Sequence, residues 1–265
     1  MMRFDRWRGY LLPGVVALTI VFLLAPILVV ILTGFSQTGY VTFPPRGFTF
    51  RWFLEAVSRS NFSLAILTSL KVSAVAASIA TIGSFLAALG LRRAPAAWRS
   101  ISDVLFTLPL VVPTISVGLA LLLLLSLTGL GTSFWALAAV QGALGIPFAI
   151  RFAATGLESI PESLYWAAQD LGCSSVQVVQ RLVWPLLRPS IMAAASYSFV
   201  VAFDELTVAL FLAGPRLVTL PVAMYTYVEY SFDTIVVAMA ALSVVITASM
   251  VFIIQRTIGL EALGT

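Results

Sequence analysis

Long apolar stretches alternate with short polar blocks along this chain, and the pattern predicts six membrane-spanning helices. The first stretch runs from about Leu11 to Leu32. The second covers about Leu64–Leu91 and contains Lys71. No charged residue stands between Asp103 and Arg151, room enough for two helices, and Thr128-Gly129-Leu130-Gly131-Thr132-Ser133 marks the turn between them. The third span is then about Val104–Leu125 and the fourth about Phe134–Phe152. The fifth is about Ile191–Ala213 and the sixth about Thr234–Ile254. A helix needs roughly 20 apolar residues to cross the hydrocarbon layer, and these stretches meet that length. The expected fold is therefore all-α and integral to a membrane, with residues 1–265 forming a single transmembrane domain.

One polar insert breaks the pattern. Residues 156–189 form a loop whose centre reads YWAAQDLGCSSVQVVQRLVWP, from Tyr165 to Pro185. Ser159 and Glu162 have the spacing of a capping box, with Pro161 in the first turn. Leu164, Ala167, Ala168 and Leu171 follow i, i+3, i+4, i+7, one face of a helix. Gly172 can take the positive φ that ends such a helix. Ser174 or Ser175 can cap a second helix with Val176, Val179 and Val183 on one face. Helix, glycine turn and helix on a polar background predict a docking element.

Composition sharpens this picture. The chain is 60% hydrophobic and 10% charged, far from soluble averages. Its net charge of +4 comes from arginines beside spans, which reflects membrane topology and leaves no nucleic-acid patch. With both termini inside, cytoplasmic segments hold ten arginines: Arg3, Arg6, Arg8, Arg92, Arg93, Arg99, Arg151, Arg181, Arg188 and Arg256. The outer segments hold four, Arg46, Arg51, Arg59 and Arg216. That excess predicts cytoplasmic termini and a cytoplasmic insert. The first span lacks a small-residue cleavage site and is longer than a signal-peptide core. Cys173 is the only cysteine, so no intrachain disulfide forms. Histidine is absent, which removes Ser-His dyads and His-ligated zinc or haem sites.

The insert resembles the cytoplasmic "EAA" loop of ABC importer permeases: Ala167, Ala168, Gly172, Leu182 and Pro185 fall in register with it. Trp166 stands where the family has Glu, and Trp184 where it has Leu. The rest of the chain resembles the spermidine/putrescine branch. Phe43-Pro44-Pro45-Arg46-Gly47-Phe48-Thr49-Phe50-Arg51-Trp52-Phe53 is similar to its first external loop. Phe203-Asp204-Glu205 is similar to its Phe-Asp-Asp, and Leu220-Pro221-Val222-Ala223-Met224-Tyr225 to its last external loop. The resemblance implies a type I importer permease in the bacterial inner membrane, with a partner set. That set is two ABC ATPase subunits, a second and non-identical permease, and a periplasmic solute-binding protein. ATP and Mg would sit on the ATPase, because this chain has no G-x-x-x-x-G-K-[ST] pattern, and no catalytic residue, metal or cofactor is expected in it. Under the resemblance, Leu164, Trp166, Ala167, Ala168, Asp170, Leu171 and Gly172 would couple to the ATPase.

Asp204 and Glu205 lie inside the fifth span, where an ionisable group costs about 2.5–3.5 kcal/mol and is functional by default. With Phe203 and Tyr225 they are the candidate solute pathway. Two other roles are open for the carboxylates: a structural pair with Lys71, or one with a partner arginine. Lys71 itself could snorkel to the interface. Tyr225, Tyr227, Glu229, Tyr230 and Asp233 suit either an ammonium group or an interfacial aromatic belt. Pro109, Pro113 and Pro147 predict kinks within spans. The expected solute is a polyamine such as putrescine or spermidine. An amino-acid derivative or opine is the alternative, and a self-contained channel or carrier the more distant one. An aspartyl intramembrane protease would need carboxylates on two spans.

Overall fold

The computed structural model describes residues 4–92, 94–129, 131–214 and 217–258. Arg3, Arg93, Arg216 and Leu130, used in the readings above, lie outside them. The elements in chain order are helices α1 Phe4–Gly34, α2 Arg51–Ser58, α3 Ser60–Arg92, α4 Ala96–Val111, α5 Thr114–Thr128 and α6 Phe134–Glu158. They continue with α7 Glu162–Asp170, α8 Ser175–Val178, a π-helical turn Val179–Val183, α9 Trp184–Asp204, α10 Thr207–Leu212, α11 Leu220–Tyr230 and α12 Thr234–Ile258. Among the described residues the one β pairing is an isolated bridge between Gly214 and Leu217.

Among the described residues five segments are long and apolar enough to cross a membrane: Pro13–Gly34, Asn61–Arg92, Phe134–Glu158, Ser175–Asp204 and Thr234–Arg256. The predicted third span, Val104–Leu125, is not one helix. It is α4 and α5, separated at Val112, whose ψ of 128° is extended, and Pro113, which leads into α5. The physical reason is local, since a proline ring disfavours the α region for the residue before it. Pro147, by contrast, is carried inside α6. The fifth span also differs from the expected Ile191–Ala213. Its helix begins upstream, in the insert itself, and stops at Asp204. Glu205 is extended, and α10 restarts two residues later. Two loop helices, α2 and α11, were not anticipated.

The contacts divide the chain into two compact units. The first comprises Met1–Ser63 and Met224–Ile246. It carries an aromatic cluster in which Phe35 stacks on the exposed Phe48 at 4.9 Å and meets Phe53 at 4.7 Å. The buried Trp52 indole donates to the Ser36 carbonyl at 2.8 Å, and Thr234 Oγ1 donates to the Thr38 carbonyl at 2.8 Å. These bonds satisfy polar groups in a stretch without regular structure, as burial demands.

The second unit comprises Leu64–Ala223 and Thr247–Thr265. Here α6 packs along α9. At Gly156 an added Cβ would meet Ser190 and sit 2.8 Å from Leu187, so only glycine permits this approach. Small residues at such seams let membrane helices pack by dispersion where hydrophobic driving force is absent. One apolar cluster joins Phe85, Ile150, Leu157, Val178, Val183 and Leu187, with Tyr165, Ala168 and Leu182 packed against it. That cluster seats the polar insert on α3, α6 and α9.

Candidate functional sites

The insert folds as helix, glycine turn and helix. Helix α7 ends at Asp170, and Gly172, just beyond the cap residue Leu171, has a φ of +85°. The Cys173 N–H donates to the Ala168 carbonyl at 3.0 Å and the Gly172 N–H to Gln169 at 2.8 Å. This nested pair is a Schellman motif, which needs a left-handed residue at its centre. Ser174 then caps α8: its Oγ accepts the Gln177 N–H at 3.4 Å, and the Gln177 side chain accepts the Ser174 N–H at 2.8 Å. Two details differ from expectation. Ser159 and Glu162 form no capping box, because Ser159 ends α6 and donates to the Gly156 carbonyl at 2.7 Å. The buried face of the second helix is Val178, Val183, Leu187 and Ile191, and Val176 is exposed. The π turn inserts one residue before Pro185, whose ring excludes the ordinary bond to Arg181, and it rotates the faces on either side.

Helix α7 presents rather than buries its apolar residues. Leu164, Trp166, Ala167, Asp170, Leu171 and Gly172 are exposed, while Tyr165 and Ala168 turn inward. Trp166 and Leu171 reach 63% and 85% exposure, high for large apolar side chains on a helix seated against a core. Beneath them lies a contact that the sequence reading did not identify. The Arg92 guanidinium, at the end of α3, stacks over the Tyr165 ring at 4.1 Å. Its Nη1 donates to Tyr165 Oη at 2.8 Å and to the Leu157 carbonyl at 3.2 Å, and Nη2 to the Ile160 carbonyl at 3.3 Å. One planar cation thus closes the open end of α6 and fixes α7 to α3.

The predicted pathway residues take different local roles. Phe203 is buried and stacks on Phe199 at 5.9 Å. Glu205 accepts the Val208 and Ala209 N–H groups at 2.9 and 3.1 Å, capping α10 with its charge at the positive end of that helix. Asp204 is exposed and has no hydrogen bond or ion pair among the described residues. It ends α9, where the unpaired carbonyls already carry negative potential. Lys71 is exposed on α3 and forms no ion pair with either carboxylate.

Tyr225 lies in the first unit, exposed on α11, and its hydrogen bond to Glu229 raises the phenol's pKa. Nearby, Tyr227 Oη donates to Asp233 at 2.8 Å and accepts from Arg59 Nη1 at 3.3 Å. Arg59 also binds Glu55 at 2.9 Å. Burial and then the Asp233 bond raise the Tyr227 pKa. The carboxylates Glu55 and Asp233 are therefore engaged within the chain. Among the described residues no cluster of acids or thiols has the form of a metal site.

The family described as "Binding-protein-dependent transport system inner membrane component" matches residues 79–259. Over 235 residues the chain is 27% identical to the spermidine/putrescine transport system permease protein PotC of Escherichia coli (strain K12), covering 88% of each. It is 29% identical over 255 residues to the putative 2-aminoethylphosphonate transport system permease protein PhnV of Salmonella typhimurium, covering 94% of this chain and 95% of that one. In fold it is similar to a chain in the crystal structure of a bacterial ABC transporter involved in the import of the acidic polysaccharide alginate. That likeness has a TM-score of 0.73 at 16% identity, over 97% of this chain and 98% of the other.

Proposed function

The chain belongs to the family of binding-protein-dependent transport system inner membrane components, and on that premise we propose that it passes an ammonium-bearing solute, most simply a polyamine, into the cytoplasm. The observation that supports this reading is Asp204. It is an unpaired, exposed carboxylate at the break that ends the fifth span's long helix, next to carbonyls of the same sign. Half-helix C-termini with freed carbonyls favour cations at membrane depth. Putrescine, spermidine and 2-aminoethylphosphonate, the solutes in the relatives' names, all carry a primary ammonium. A polyamine has no anionic end, so one carboxylate and no matching arginine suits it better.

In this reading α7 docks its exposed Leu164, Trp166, Ala167 and Leu171 on an ABC ATPase, which supplies ATP hydrolysis. A second permease completes the pore, and a periplasmic binding protein delivers solute. Both termini are cytoplasmic. Glu205 holds the restart of the broken helix, and Asp204 meets the solute.

Uptake of labelled putrescine by the reconstituted transporter tests the proposal. Asp204→Asn should lower uptake several-fold with assembly unchanged. Glu205→Ala should lower the yield of assembled complex, because losing a cap costs about 0.5–2 kcal/mol. Wild-type uptake by the Asp204 variant, or a preference for 2-aminoethylphosphonate over putrescine, would overturn the polyamine assignment.

A further inference from the structure

A cavity of about 750 Å³ opens where α3, α4 and α6 meet the start of α7. Its wall changes character along α6. Pro147, Ile150 and Ala154, with Leu91 and Phe106 from the neighbouring helices, form an apolar part. Arg151 stands between Ile150 and Ala154, and Glu158 and Glu162 line the end toward the polar insert. At 1.5 Å per residue, Pro147 and Glu158 are roughly 16 Å apart along the helix. The cavity thus runs from membrane depth to the interface.

The charges of the lining are not neutralised inside the chain. Arg92 spends its donors on carbonyls and on Tyr165. Arg99 donates to the Leu91, Arg92 and Ala94 carbonyls at 3.1, 2.8 and 3.1 Å. A carbonyl satisfies hydrogen bonds without cancelling charge. Arg151 has neither a hydrogen bond nor an ion pair among the described residues and is exposed. Neither Glu158 nor Glu162 pairs with any of the three arginines. The lining carries three positive groups against two negative ones.

We propose that this cavity holds an anionic phospholipid of the inner leaflet, with its phosphate on Arg151 and an acyl chain along Pro147, Ile150 and Phe106. Basic pockets between membrane helices on the cytoplasmic side suit such headgroups, and the apolar wall suits the chain. A free phosphate would leave that wall empty. The site includes Arg92, which holds Tyr165, so an occupied cavity braces the start of α7. This inference rests on the permease reading and its cytoplasmic orientation.

The test uses the whole transporter complex in nanodiscs of phosphatidylcholine with and without phosphatidylglycerol. Lipid retained after mild delipidation is read by native mass spectrometry. Wild type should retain phosphatidylglycerol in preference to phosphatidylcholine. Arg151→Gln should lower that retention about fivefold, the effect of one arginine on a charged surface, and Arg151→Lys should preserve most of it. Ala154→Trp, which fills the cavity beside Arg151, should lower it with the charge intact. Phosphatidylglycerol carrying a photoreactive acyl chain should label the wild-type cavity wall, which keeps the test sharp even if a variant assembles poorly. Equal retention of the two lipids, labelling confined to other surfaces, or displacement by inorganic phosphate alone would overturn the assignment. Putrescine uptake by the same wild-type complex reports on the permease reading separately. A transporting complex with no lipid preference would sink the lipid site alone.

Discussion

Replacing Gly172 with valine isolates the turn that orients the insert. Gly172 sits at φ of +85°, and an added Cβ would meet nothing within 4 Å. The penalty is therefore confined to the backbone. A left-handed conformation costs an L-residue roughly 1–2 kcal/mol, and a β-branched one sits at the upper end or beyond. Opening the turn forfeits the bonds from Cys173 to Ala168 and from Gly172 to Gln169. A cost of about 2 kcal/mol raises the opened fraction about 30-fold. In the opened state Trp166 and Leu171 lose their fixed relation to the Ser174-capped helix that continues into the fifth span. The assay is ATPase stimulation by solute-loaded binding protein in the reconstituted transporter. Gly172→Val should reduce stimulation several-fold while membrane insertion survives. Gly172→Asn should be milder, because asparagine tolerates the left-handed region. Normal stimulation in the valine variant would show that the turn does not transmit coupling.

Arg92→Gln should also weaken coupling. It removes the stack on Tyr165 and leaves the Leu157 and Ile160 carbonyls short of a charged donor, a loss of about 1.5–3 kcal/mol. Arg92→Lys should recover only part of that, since ammonium lacks the planar fork, and paired measurements of melting temperature and stimulated ATPase would show it. A cytoplasm-only reporter fused after Thr265 should be active and one fused at Ser58 inactive; activity at Ser58 would reverse the orientation.

Much of the fold was legible because hydropathy and turn chemistry are local. The first, second, fourth and sixth spans lie where apolar runs predicted them, with ends displaced by a few residues, whereas the third and the fifth differ. The Gly172 turn and the Ser174 cap follow from residue types whose backbone preferences hold in any context. Pro113 carried a readable break signal in the residue before it, and the third span shows that a proline at a span's centre can outweigh continuous hydrophobicity. The break at Glu205 carried no such signal, because Phe203-Asp204-Glu205-Leu206 contains neither proline nor glycine.

The candidate sites divide along the same line. From the sequence came the six apolar stretches, the polar insert with its glycine-centred turn, the positive charge beside span ends, and two carboxylates at membrane depth. Only the tertiary structure separated those carboxylates into Glu205 as a cap and Asp204 as an unpaired group. It alone placed Arg92 on Tyr165, 73 residues away, and set the helix faces through the π turn before Pro185. A span or a cap is decided by neighbours within a turn or two. A guanidinium's partner, or the face a helix buries, is decided by which distant segments the packed helices bring within a few ångströms.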